Sequence, residues 1–292
     1  MGDLIHLITA GLATGAIYAL VAIGFVLLWQ TSQTINFAQG QFVMLPAFFV
    51  LAAMKQGGLP LWAAVLVGIA ASVLLLGVGF KKLIVDPMRR HGVLPLVIAT
   101  VALGLLLEES TKTLFSAQAE AFPALVPSTT FNVLGAPVSL QDLSIIGFAI
   151  VAVVALQLFL TRTTTGRCMQ AAAQNPEVAR ILGIPVERMI LLTFVINATL
   201  VAIASVLISP IYLAKFSNGG ALGVAAFVAA IVGGFNQIRG AIVGGLLLGV
   251  VSNLAAAYIS AQYRDAIPLI LLILVILFRP RGLAGRAEER TV

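Results

Sequence analysis

The sequence predicts an all-α, polytopic integral membrane protein with about eight or nine transmembrane helices, some of them broken or partial. Three observations carry this. Apolar residues make up 60% of the 292 residues and charged ones 10%, the mean hydropathy is +1.09, and the apolar residues gather into runs near the roughly 20 residues a helix needs to cross a bilayer. The 17 Lys and Arg outnumber the 11 Asp and Glu. They sit between the runs and not beside stacking aromatics, which excludes a nucleic-acid surface and assigns them to membrane topology.

In order, nine runs qualify: Leu4 to Trp29, Phe37 to Met54, Leu61 to Phe80, Val93 to about Phe115, Leu143 to Leu160, Met189 to about Leu213, Ala221 to Phe235, Ala241 to Ala261, and about Ala266 to Phe278. The first has neither a basic leader nor a small-residue cleavage site, so it reads as a retained span. The seventh and ninth are short and read as crossings or as partial, tilted elements. Gly11 and Gly15, Gly240 and Gly244, and Gly245 and Gly249 each stand four apart. That spacing predicts close helix approach within the chain, since packing holds helices together in lipid.

Lys81, Lys82, Arg89 and Arg90 fall in one connection, Arg162, Arg167, Arg180 and Arg188 in another, Arg239 in a tight turn, and Arg279, Arg281, Arg286 and Arg290 in the tail. With nine crossings, thirteen cations lie on one side and four on the other, and the connection at 116–142 has none. The N-terminus is therefore expected outside and the C-terminus in the cytoplasm. One transmembrane domain, 1–292, follows, with a periplasmic loop at 116–142, a cytoplasmic loop at 161–188 and a cytoplasmic tail at 279–292.

Polar residues inside apolar runs mark function or interhelical bonding. The stretch "TINFAQGQF" sets Asn36, Gln39 and Gln41 around Gly40 between the first two spans. It reads either as a broken helix lining a polar path or as a capped interfacial turn. Thr193, Asn197 and Asn253 are further candidates to face the path, or else bond between helices. Glu108 and Glu109 close the fourth span, and Lys112 stands four residues after Glu108, the spacing of a helix-surface ion pair. A lone Cys168 permits no disulfide within the chain, no Cys/His spacing suggests a metal site, and neither a phosphate-cradling loop nor a catalytic triad motif is present. The chain is not expected to be an enzyme or to hold a cofactor.

"QNPEVARILGIP", 174–185, is polar in an otherwise greasy chain. Asn175 suits a helix N-cap, Pro176 the first helical position, Glu177 the positive dipole end, and Gly183 a left-handed stop. A short delimited helix there is suited to docking on a cytosolic partner.

The run "TRTTTGRCMQAAAQNPEVARILGIPVERMILLTFVINATLVAIASVL" resembles the cytoplasmic loop and following span of permeases from branched-chain amino acid ABC importers. "GLATGAIYALVAIGFVLLWQTSQTINFAQGQFVMLPAFF" is similar to their first two spans, "AAFVAAIVGGFNQIRGAIVGGLLLGVV" to their glycine-rich region, and "LFRPRGLAGR" to their tail. The four blocks occur in the family's order over nearly the whole chain. The resemblance implies that Ala171, Ala172, Asn175, Pro176, Glu177, Arg180 and Gly183 engage an ATPase. It also implies a second homologous permease subunit, cytoplasmic ATP-binding subunits that hold the ATP, a periplasmic solute-binding protein, and a place in the bacterial inner membrane. Relatives of this type serve branched-chain amino acids, and others urea, short amides or aromatic acids. The chain departs from the family where Gln39 and Gln41 replace a usual His and acid, leaving amides where the family has titratable groups. Two readings from other classes are an ion-coupled secondary carrier using Glu108 and Glu109, and a scaffold or channel without ATP coupling.

Overall fold

A computed structural model describes residues 2–89, 91–115, 117–127, 129–133, 136–280 and 282–284. Arg90 and the tail cations Arg281, Arg286 and Arg290 lie outside the described residues. Each of the nine apolar runs is a helix. In chain order they are α1 (Gly2–Ser32), α2 (Gln39–Lys55), α3 (Leu61–Arg89), α4 (Val93–Leu114), α5 (Leu140–Arg162), α8 (Val186–Tyr212), α9 (Asn218–Gly233), α10 (Ile238–Tyr258) and α11 (Ala266–Phe278). Between α5 and α8 lie two short helices, α6 (Thr164–Gln174) and α7 (Pro176–Ile181). Sequence reading marked one helix in this loop. α6 escaped it because its cap, Thr163 accepting from Gly166 N at 2.9 Å, lies in a featureless threonine run.

Six of the helices are long enough to span alone, while α2, α9 and α11 have 17, 16 and 13 residues. The second element thus joins the seventh and ninth as a short one. α3 runs on past the expected Phe80, because Lys81 is buried at 7% exposure and neutralised by carboxylates. Two stretches within it, Val73–Gly79 and Lys81–Val85, are π-helical, and Asp86–Arg89 returns to α-helix. The loop before α5 contains a hairpin, β1 (Thr130–Val133) antiparallel to β2 (Ala136–Ser139), with Thr130 opposite Ser139. Ser139 then caps α5 by accepting from Gln141 N at 3.1 Å.

α1 is the central post. In its most apolar 18-residue window 89% of residues are buried, against 67% in α8, 22% in α5 and 17% in α4. A helix apolar all round belongs in the interior or in lipid. α4, α5 and α11 turn large side chains such as Leu105, Val151 and Leu277 outward at 64%, 65% and 71% exposure, and that surface is matched only by a bilayer.

The glycine pairs face one another. A Cβ built on Gly249 would lie 2.3 Å from the Gly15 backbone, and one on Gly15 2.8 Å from Gly245 O, so α1 and α10 touch backbone to backbone. On its other flank α10 meets α9, where a Cβ on Gly233 would lie 2.0 Å from Gly240 O. α1 and α8 end alike, in a non-glycine residue of positive φ, Gln33 (52°) and Leu213 (61°), each followed by a short loop and a short helix. Those short helices, α2 and α9, meet at their starts. A Cβ on Gly40 would lie 2.0 Å from Gly219 O.

Candidate functional site

The first group of polar residues forms where α1 gives way to α2. Asn36 turns the chain, its side-chain oxygen accepting from Ala38 N at 3.0 Å, while its amide nitrogen donates to Gln39 Oε1 at 3.2 Å. Gln39 and Asn197 form a reciprocal pair across 158 residues: Gln39 Nε2 donates to Asn197 Oδ1 at 2.6 Å, and Asn197 Nδ2 to Gln39 Oε1 at 3.1 Å. Both are fully buried at 0% exposure, and Asn36 at 1%. Two hydrogen bonds between complementary amides satisfy most of the polarity that burial would otherwise penalise. Room for them comes from Gly24 of α1, where a Cβ would fall 2.0 Å from Asn197 Oδ1.

Gln41 leaves this pair and turns to α4, donating to Glu108 Oε2 at 3.3 Å. Lys112 consequently pairs with Glu109, three residues before it, at 3.5 Å, which corrects the Glu108 pairing expected from i,i+4 spacing. Thr193 is buried but bonds its own helix, Oγ1 to Met189 O at 3.0 Å. Asn253 stands apart from the other amides, donating to Thr14 Oγ1 at 3.5 Å and accepting from Arg264 at 3.2 Å.

The second group is α7. Asn175 Oδ1 accepts from Glu177 N and Val178 N, both at 3.0 Å, with Pro176 in the first helical position. Gly183 at φ 79° ends the helix, and Ile184 N returns to Ala179 O at 2.9 Å. The inner side is anchored by Ala172 and Ala179, each 2% exposed, and Ala171 is half-buried. Outward, Val178, Ile181 and Leu182 are 49%, 84% and 72% exposed, an apolar face on a polar loop.

Arg180 connects α7 to the spans. It lies 3.7 Å from Glu187 at the start of α8, and Glu187 also meets Lys81 at 3.3 Å and Arg89 at 3.8 Å, both on α3. Lys81 adds Asp86 at 2.9 Å. Sequence reading passed over Glu187. Its signal was available only as one acid among the cations of the loop. Among the described residues, no three His, Cys, Asp or Glu side chains gather where a metal could be held.

Residues 7–276 match the family model described as the permease component of the branched-chain amino acid transport system. The chain is 33% identical to the Pseudomonas aeruginosa permease protein BraD of a high-affinity branched-chain amino acid transport system, over 97% of this chain and 96% of the relative. It is 32% identical to the Escherichia coli permease protein LivH of such a system, over the same shares. A probable LivH from Methanocaldococcus jannaschii is 29% identical over 91% of this chain and 88% of the relative. A near full-length match, on a chain whose apolar helices leave lipid-facing surfaces, decides the assignment: this multi-pass membrane protein belongs to the permease-component family of branched-chain amino acid transport systems.

Proposed function

We propose that the chain is the membrane-spanning half of an ATP-driven importer that moves branched-chain amino acids or a related small solute delivered by a periplasmic binding protein. It pairs with a second homologous permease and is driven by cytoplasmic ATP-binding subunits, with its N-terminus outside and its C-terminus in the cytoplasm. The observation that supports this most is α7. Its ends are fixed by a two-bond cap and a left-handed glycine, its outer face is apolar and unpaired, and Arg180 ties it to Glu187. A rigid element with an apolar face and a charged link to two spans can receive a push from a docked ATPase and pass it into α8 and α3. Ala171, Ala172, Asn175, Pro176, Glu177, Arg180 and Gly183 are the coupling residues in this reading.

The buried amides are the gate of the path. Asn36, Gln39 and Asn197 latch the start of α2 to α8, and Gln41, Thr193 and Asn253 are further pathway residues in this reading. The test is Glu177→Arg in the assembled complex in liposomes. It puts a cation at the positive end of α7 and on its exposed face. Stimulated ATP hydrolysis and solute uptake should fall together. Wild-type activity in a fully assembled Glu177→Arg complex would exclude the coupling role. Uptake that survives loss of ATP but stops when the ion gradient collapses would instead favour a secondary carrier using Glu108, which faces Gln41.

A further inference from the structure

Between α1, α8, α9 and the start of α11 the structure forms an open pocket of about 550 Å³, of a size to hold a small molecule. It lies on the hairpin side of the molecule, since the chain just past α8 pairs back to the long loop, Ala214 with Glu120. Its polar wall is Tyr18, Tyr212, Asn218, Arg264 and Asp265.

Arg264 is held by neutral groups. One of its terminal nitrogens donates to the Tyr212 hydroxyl and to Asn253 Oδ1, and its guanidinium sits 5.4 Å from the centre of the Tyr212 ring. Among the described residues the ion pairs engage neither Arg264 nor Asp265. A half-buried arginine held by neutral partners and outside the ion pairs keeps donors available for a carboxylate. Tyr18 is only 9% exposed and lines the same space, and no described residue gives its hydroxyl a hydrogen bond. The start of α9 opens there too. Ser217 makes no side-chain cap, the Asn218 amide bonds back to Leu213 O at 2.8 Å, and Gly220 has open space where a Cβ would be. The positive dipole end of α9 adds to the pull on an anion.

We propose that this pocket is a binding site for a small zwitterion, with its carboxylate on Arg264 and the first turn of α9, and its ammonium on Asp265 and the tyrosine faces. Asp265 decides between ligand sources. A purely anionic headgroup such as phosphatidylglycerol would be repelled by that carboxylate, whereas a ligand carrying both signs satisfies it, and a zwitterionic phosphatidylethanolamine headgroup is set apart from an amino acid by the experiment. Leu222, Val224 and Leu269 supply an apolar wall for a hydrocarbon side chain. The proposal rests on the chain being a translocating subunit, because it makes this the place where the solute waits on the hairpin side.

The test uses the full complex in nanodiscs with Ala221→Cys, an exposed pocket position, and reads the rate of thiol alkylation there. Leucine is the probe, with leucinamide lacking the carboxylate and 4-methylpentanoate lacking the ammonium. Leucine should slow alkylation, leucinamide should need at least about tenfold higher concentration, and Arg264→Gln should erase that preference. Asp265→Asn, on an exposed side chain that tolerates change, should erase the preference for leucine over 4-methylpentanoate. Equal protection by all three probes, or none, overturns the site. So does protection that depends on phosphatidylglycerol or phosphatidylethanolamine in the nanodisc and not on leucine. ATP-driven leucine uptake by the unmodified complex is measured alongside. Uptake without protection removes the site and leaves the importer, and protection without uptake keeps the site and removes the importer.

Discussion

At the scale of single residues, the Gln39–Asn197 pair is where burial and polarity meet most sharply. Interhelical hydrogen bonds in membranes average only about 0.6 kcal/mol, so their gain is small. The loss on breaking one is larger, because a dry amide left without its partner costs roughly 1–3 kcal/mol. Gln39→Leu and Asn197→Leu should therefore each lower the thermal midpoint of the purified chain. The double variant, which leaves neither amide stranded, should fall by less than the sum, with a coupling of about 1 kcal/mol or more. Strict additivity in the unfolding midpoints would mean that the pair is not a unit. Gln39→Leu should also cut solute flux while the ATPase stays assembled, a readout that a purely structural amide would not move.

At the scale of elements, two kinds of helix contact can be separated by experiment. The α1–α10 seam leaves no space. A side chain at Gly15 would collide with the backbone of Gly245 and Leu246 at 2.8 Å, and a collision with backbone cannot be relieved by a rotamer. Gly15→Leu should abolish stable assembly, whereas Gly147→Ala, with nothing within 4 Å, should leave the chain's detergent stability unchanged or slightly raised. α7 depends on its ends instead. A 6-residue helix cannot hold itself in water, so the Asn175 cap is worth about 1 kcal/mol to it. Asn175→Ala should weaken stimulated ATP hydrolysis severalfold while membrane insertion, followed by protease protection, stays normal. Full stimulation in that variant would place α7's rigidity in the docked ATPase and not in its own cap.

For the whole molecule, nine crossings would set the start of α1 and the end of α11 on opposite faces. A reporter fused after Val292 and an epitope inserted after Ala124, in the loop before the hairpin, should report opposite compartments, with the epitope outside. A cytoplasmic epitope would overturn the orientation drawn from the cation bias. The half of the molecule opposite the hairpin is also where Glu187 gathers Arg180, Lys81 and Arg89. Surface ion pairs taken singly contribute little, but a network of three cations on one carboxylate ties α3, α7 and α8 at one point. Glu187→Gln should lower the ratio of uptake to ATP hydrolysis while assembly persists. An unchanged ratio would assign the network to folding alone.

The nine apolar helices, the glycine spacing, and the cap and stop of α7 are legible in the sequence, because each is set by residues within a turn or two of one another. The sequence also marked Asn36, Gln39 and Asn197 as out of place in an apolar setting. Their partners emerge only when the chain is folded. Gln39 finds Asn197 across 158 positions, Lys112 takes Glu109 because Gln41 has taken Glu108, and Arg264 lines a pocket with residues from α1, α8 and α9. Nor could hydropathy separate the buried post α1 from the lipid-facing α5, which are similarly apolar though 89% and 22% buried. In a bilayer both the interior and the outer surface of a protein are apolar. The side a helix faces is therefore decided by packing and by which polar groups must find each other.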